Sequence, residues 1–482
     1  MSVKKNYFYN LLYQAFLLII PLAVTPYISR VLGADGSGKY GFSFSVVTYF
    51  TLFASLGFGY YAQRLIASHR EDEMAKARDF WEIIIARGVS TGIALIAFGG
   101  FLAFGVFPKK YRLILLALFP YILSSGVDIA FYFQGNERFK EIVLRNIFVR
   151  LVAFGGVFLL VKDSGDIWIY ALLQSAAALC SGGFLWSALP KETLSYPKRG
   201  LKPWKHILPT LVLFLPTMAT TVYTALDKTL LGVITGSDSE IGNYEYSERL
   251  VKMAMTLLTA LGTVMIPRNS ERFARGDIDG VRQNIFRSVR FVLFLGVPLC
   301  LGLSAISGNI VPWYLGTGYQ KADKMMKLLS PIILMIGLSN VFGLQFLIPS
   351  GRDKQFTVAI VCGALVNLLL NLLLIPLLKG YGAAISTVVA ESVVTFIMFR
   401  SIKKEIGGVC VFDGWWRYAL AGVVTYLPSR ALAFALTPSF WHSLLLAGVG
   451  ALVYVLALIA LHEPIILDAV GDVKKRFQRH GI

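Results

Sequence analysis

Charged side chains inside long apolar stretches are the residues of this sequence best placed to do chemistry. Arg87, Asp128, Arg150, the adjacent Asp227 and Lys228, and Glu391 each interrupt such a stretch, and Glu245, Glu248, Arg249 and Lys252 crowd into another. A charge at the centre of a bilayer costs at least ~2.5–3.5 kcal/mol on insertion scales, so each needs a polar cavity, a partner or a short route to the surface. Arg87 stands seven residues inside its stretch, about 10 Å deep at ~1.5 Å per residue, which is beyond comfortable snorkelling. Glu245 with Arg249 and Glu248 with Lys252 have i,i+4 spacing, so each pair can neutralise itself on one helix face. For these four, structural pairing and contact with a transported molecule stand as equal alternatives. Asp227 can likewise do no more than neutralise a neighbouring cation. Arg87, Arg150 and Lys228 lack such a local acid and are expected to line a cavity.

The elements that must position these charges are membrane helices. The chain has 482 residues, 56% of them hydrophobic and 15% charged. A soluble domain carries roughly 25% charged residues and could not cover this much apolar surface. Apolar runs long enough to cross ~30 Å of hydrocarbon explain the composition directly. They fall near 8–32, 40–63, 80–106, 111–133, 142–161, 166–189, 207–234, 241–266, 285–308, 325–349, 355–378, 381–399, 415–436 and 441–461. The expected fold is therefore an all-α polytopic membrane protein of about fourteen transmembrane helices. The N-terminal run after Lys4 and Lys5 contains Pro21 and Pro26 and has no small-x-small cleavage pattern, so it reads as a retained first span.

Lys and Arg total 46 against 28 Asp and Glu, a net charge of +18. Most of them fall in the N-terminus, the C-terminus and every second loop. That asymmetry over short loops places both termini in the cytoplasm, and anionic headgroups account for the excess charge without nucleic acid.

An internal repeat organises the spans. Gly38-Lys-Tyr-Gly-Phe-Ser43 of the second matches Gly242-Asn-Tyr-Glu-Tyr-Ser247 of the eighth. From Tyr40 and Tyr244 the same interval leads to Arg64 and Arg268, which are expected to form a cytoplasmic gate. Pro120, Gly126 and Gln134 keep the spacing of Pro331, Gly337 and Gln345. Same-orientation halves imply two six-helix lobes related about the membrane normal. The expected divisions are an N-lobe at 1–189, a cytoplasmic linker at 190–206, a C-lobe at 207–402, and a final helix pair with a basic tail at 403–482. Pro21 and Pro216, in the first helix of each lobe, each remove a backbone hydrogen bond and permit a bend. Gly33-Ala-Asp-Gly-Ser-Gly38 joins two spans and reads as a tight outer turn, not a phosphate loop.

Enzymatic signals are absent from the sequence. There is no Walker A loop, no GxSxG elbow and no clustered His or Cys spacing; Cys180, Cys300, Cys362 and Cys410 form no CxxC. No catalytic residue, metal ligand or bound cofactor is expected, and no outer loop is long enough for a soluble catalytic domain.

Several segments resemble Wzx-type polysaccharide repeat-unit flippases of the MOP superfamily. Asn10-Leu-Leu-Tyr-Gln14, Thr25-Pro-Tyr-Ile-Ser-Arg-Val-Leu-Gly33 and Gly36-Ser-Gly-Lys-Tyr40 are similar to that family's opening. Leu226-Asp-Lys-Thr-Leu-Leu-Gly232, Gly242-Asn-Tyr-Glu-Tyr246 and Thr259-Ala-Leu-Gly-Thr-Val-Met-Ile-Pro-Arg268 are similar to its second half. The resemblance implies a fold shared with MATE-type exporters and the lipid II flippase MurJ. It implies that undecaprenyl-diphosphate-linked oligosaccharide, an O-antigen-like repeat unit, crosses the bacterial inner membrane by alternating access with H+ or Na+ as coupling ion, in company with membrane lipids and a polysaccharide polymerase. In that setting Arg30, Arg87, Lys228, Arg249 and Lys252 become candidate diphosphate ligands, since guanidinium groups bind phosphate bidentately. Asp128, Asp227, Glu248 and Glu391 become candidates for ion coupling or charge pairing. The first span has no carboxylate of the kind many MATE exporters carry, which argues against the alternative of a drug:cation antiporter. A membrane-embedded polysaccharide polymerase or ligase is a further alternative, and would need catalytic residues in a sizeable outer loop.

Overall fold

A computed structural model describes residues 3–69, 71–407 and 411–464; Cys410 and the basic tail beyond residue 464 lie outside them. The described residues contain no strand. Ten helical segments among them are long and apolar enough to cross a membrane, and one, Ile20–Ser68, runs from within the first predicted span through the whole of the second. The chain divides into two compact units, Met1–Gly242 and Asn243–Ile482.

The first unit holds α1 (Val3–Ser55), α2 (Phe58–Ser68), α3 (Glu73–Ala103), α4 (Lys109–Ala117), α5 (Phe119–Val127), α6 (Ala130–Gly135), α7 (Phe139–Leu160), α8 (Ile167–Phe184), α9 (Lys191–Leu194) and α10 (Ile207–Thr235). The predicted outer turn at 33–38 is narrower than the glycine run suggests. The chain leaves helical geometry only at Gly33, with φ 65° and ψ −177°, a conformation essentially restricted to glycine, and Ala34 onward is helical. The predicted second span is itself interrupted, because Leu56 at φ 41° and Gly57 at φ 76° turn the chain into α2. Polar anchoring starts α3: Asp72 accepts the backbone N–H groups of Met74 and Ala75, as an N-cap should.

The fourth predicted span is three helical pieces. Asp128 ends α5 with extended geometry, φ −70° and ψ 117°, before α6 begins. A break inside the bilayer exposes carbonyls that water cannot reach, so neighbouring helices must satisfy them. The Trp186 indole donates to the Val127 carbonyl at 2.8 Å and Arg87 to that of Asp128 at 2.7 Å. At Gly182 a side chain would crowd the Asp128 backbone. Below the break an aromatic core of Phe58, Phe80, Phe131, Tyr132 and Phe133 joins α2, α3 and α6.

The helix α11 (Asp238–Ala274) begins in the first unit and continues into the second. There follow α12 (Ile278–Leu315), α13 (Ala322–Leu329), α14 (Ile332–Phe342), α15 (Asp353–Leu378), α16 (Gly380–Ile402), α17 (Trp415–Ala435) and α18 (Phe440–Ala460). A π-helical turn at Gly343–Leu347 continues α14, and Asn269 satisfies its Gln345 carbonyl at 2.7 Å. The final pair, α17 and α18, packs on α12. Glu463 just beyond α18 is buried, pairs with Arg290 of α12 at 2.5 Å and accepts the Tyr418 hydroxyl of α17.

Candidate functional site

Three polar groupings emerge within the helices, and only one was legible from spacing. In α11, Arg249 donates to Glu245 at 2.9 Å and Lys252 to Glu248 at 2.5 Å, the two i,i+4 pairs expected. The Arg249 guanidinium also lies 5.2 Å from the Tyr246 ring centroid. Both cations are half-buried, and Glu248 is buried. The neighbouring Tyr244, one of the repeat tyrosines, hydrogen-bonds Thr387 of α16 at 2.9 Å. Glu391 stands four residues further along α16, half-buried.

In the first unit the intramembrane charges find partners on other helices. Arg87 of α3 is only 8% exposed and its guanidinium is committed to the Asp128 carbonyl. The Asp128 carboxylate pairs with Arg145 of α7 at 3.4 Å and accepts from the Ala130 N–H at 3.1 Å. Arg145 also donates to Asn146 through Nε at 3.1 Å and Nη2 at 2.9 Å, and Ser181 of α8 holds the same amide oxygen at 2.9 Å. Arg145 was not among the predicted site residues. It lies close to the start of its span, where a cation reads as a snorkelling surface group. Arg150, expected in the cavity, is exposed.

The third grouping follows the packing of α10 on α1. Asp227 is buried at 3% exposure and Lys228 beside it is half-buried. The next residue, Thr229, meets the hydroxyls of Ser45 at 2.9 Å and Tyr49 at 3.0 Å. Phe42 fits against Gly232, where any side chain would collide with its ring. Arg30, Arg64 and Arg268 are exposed.

A further cluster, invisible to spacing, ties the linker to the first unit. Glu82 of α3 accepts Lys205 at 2.6 Å, His206 Nε2 at 2.9 Å and the Lys202 N–H at 2.9 Å. Asp79 receives His69 at 2.7 Å. A carboxylate can only accept, so His206 carries its proton on Nε2 and its Nδ1 accepts from the Tyr61 hydroxyl at 2.8 Å. Burial pushes the His206 imidazole below its usual value, outweighing the upward pull of Glu82. Donor atoms of Asp79, Glu82 and His206 lie within 4.8 Å of one another, a spacing a divalent ion could bridge. The ammonium of Lys205, 3.6 Å from Asp79 and 2.6 Å from Glu82, already supplies the positive charge there.

Helices broken inside the membrane, with charged side chains gathered at the breaks, define the class as a polytopic transporter fold. The chain superposes on an inward closed conformation of the lipid II flippase MurJ with a TM-score of 0.67 at 16% identity, over 93% of this chain and 100% of that one. An inward-facing multidrug resistance MATE transporter of the MOP superfamily gives 0.63 at 12% identity, over 80% of this chain and 94% of that one. The chain belongs to the polysaccharide biosynthesis protein family, whose profile matches residues 3–273. The lipid II flippase MurJ profile matches residues 235–456. An Escherichia coli (strain K12) protein named for O-antigen transport is 27% identical over 85% of this chain and 99% of its own length. The lipid II flippase MurJ of Bacillus subtilis (strain 168) is 29% identical over 34% of this chain and 30% of its own.

Proposed function

We propose that this protein flips lipid-linked oligosaccharide repeat units from the cytoplasmic to the outer leaflet of the bacterial inner membrane by alternating access. The observation that carries the reading is the nearly end-to-end likeness to the Escherichia coli protein named for O-antigen transport. Undecaprenyl diphosphate is the carrier, and both termini lie in the cytoplasm. The chain is a transporter and not an enzyme.

Arg30, Lys228, Arg249 and Lys252 bind the diphosphate. The α11 pairs suit this role, because they set Arg249 and Lys252, both half-buried, along one helix, where a guanidinium and an ammonium can meet phosphate oxygens. Arg87, already bonded to the Asp128 carbonyl, supports the helix break at the end of α5. Asp227, Glu248, Glu391 and the half-exposed Asp128 are the carboxylates available to couple transport to H+ or Na+, and a polysaccharide polymerase takes the product on the outer face. Arg64 and Arg268 guard the cytoplasmic opening.

Expression in a strain lacking its own repeat-unit flippase tests the reading. Polysaccharide should reappear at the cell surface. Drug resistance without restored export would point instead to a MATE-like drug:cation antiporter, and the flippase reading would be abandoned.

A further inference from the structure

Residues at the outer end of the first unit form a close helix crossing that none of the assigned roles uses. A Cβ added at Gly38 of α1 would overlap the backbone carbonyl of Asp238 in α11, and one at Gly242 of α11 would overlap the carbonyl of Ala34 in α1. Each glycine thus meets the residue four places before the other glycine. Gly38 and Gly242 are matched positions of the internal repeat, and such reciprocity is what a two-fold relation between the helices produces. Small residues four apart allow helices in a membrane this backbone-to-backbone approach.

The crossing is fastened by side chains from a third helix. Tyr111 of α4 donates to Asp238 Oδ1 at 2.5 Å, and Lys110 donates to Oδ2 at 2.8 Å. Asp238 is only 8% exposed and occupies the first turn of α11, where a carboxylate also favours the helix dipole. Phe42 continues the contact inward, 4.6 Å from the Tyr111 ring centroid and against Gly232. Beyond it Ser45 and Tyr49 meet Thr229.

We infer that Asp238, held by Lys110 and Tyr111 over the Gly38–Gly242 crossing, is a latch that closes the outer side and must open to release substrate. This rests on the alternating-access reading and its topology, which place the loops before α4 and α11 outside. Main chain against main chain leaves no width for a sugar. Release therefore requires α1 and α11 to part, and the Asp238 carboxylate must exchange its two donors for water. A charged hydrogen-bond pair makes the closed form the resting state yet costs little enough, once rehydrated, to be broken in each cycle.

The test uses the full chain with its four cysteines changed to serine and Ser45→Cys as reporter, about 16 Å from Ala34 along the helix. Whole cells are labelled with a membrane-impermeant maleimide. The parent should label slowly. Asp238→Asn and, separately, Gly38→Leu should label roughly five- to tenfold faster, as expected for losing charged hydrogen bonds from the closed form. The swap Lys110→Asp with Asp238→Lys should return the rate toward that of the parent. Tyr111→Phe is the milder variant if the others fail to insert, and should speed labelling less. Equal labelling of the parent and every inserted variant overturns the latch, as does a swap that labels as fast as Asp238→Asn. Labelling needs no substrate: if rates move as described but the wild type restores no export, the latch stands and the flippase reading falls.

Discussion

Charges in α11 and charges around Asp128 solve the same problem in different ways. In α11 Glu245 and Glu248 each meet a base four residues along the same helix. Around Asp128 the partners come from α3 and α7, and Arg87 reaches a carbonyl 41 residues away in sequence. A pair four residues apart on one helix moves with that helix. A pair spanning helices holds them in register, so exchanging it would loosen the fold. Burial of charge therefore does not by itself mark a transport site.

The largest effect should come from a cation assigned to substrate. Lys228→Gln is expected to weaken apparent substrate affinity ten- to a hundredfold, about 1.5–3 kcal/mol for a charge-assisted contact. Lys228→Glu should abolish export, and Lys228→Arg should keep more of it than the glutamine variant. Export by a complemented strain, normalised to inserted protein, is the measurement. Normal export by an inserted Lys228→Glu protein would assign Lys228 to structure and merge it with the Asp128 group.

Arg87→Leu should instead show its effect in stability. It leaves the Asp128 carbonyl without its charged donor, a loss of about 1.5–3 kcal/mol, read as a lowered Tm in detergent. Against it, Glu245→Gln with Arg249→Gln should cost only about 0.3–0.5 kcal/mol while impairing export. A reversed order, with α11 setting stability and Arg87 setting only transport, would break the distinction between local and cross-helix pairs.

A smaller, pH-dependent effect belongs to the linker cluster. The folded state holds His206 below its ordinary value near 6.5. The unfolded chain therefore binds a proton first, and stability falls as pH drops from about 7 through that value toward the depressed folded one. Thermal unfolding across this range should show a downward slope on acidification that His206→Asn flattens. An unchanged slope would mean that another group titrates there.

The α11 pairs could be read from spacing because a helix brings residues four apart onto one face whatever surrounds it. The same rule is silent about Glu82 and His206, 124 residues apart, and about Glu463 with Arg290, 173 apart. Asp238 carries no signal either: in sequence it is one acid in a short polar loop. Its matched-repeat neighbour Gly242 was visible, but not that Ala34 would lie against it. Fragmentation of the fourth span was hidden for a related reason. Hydropathy records how apolar a stretch is, and Asp128 and Ile129 interrupt the helix without interrupting that average.

Composition, the length of the apolar runs and the repeat were enough to establish an all-helical membrane protein and to single out most of its intramembrane charges, and the resemblance of short motifs pointed to the family. These properties depend on one residue type at a time, or on neighbours within a turn, and a bilayer admits few other solutions for such a chain. Which charge serves the fold and which remains exchangeable depends on partners brought together by packing. So do the hydrogen bond from Arg87 to the Asp128 carbonyl and the close crossing at Gly38 and Gly242. Those contacts join residues far apart in the chain at distances of a few ångströms, and only the folded arrangement of the helices specifies them.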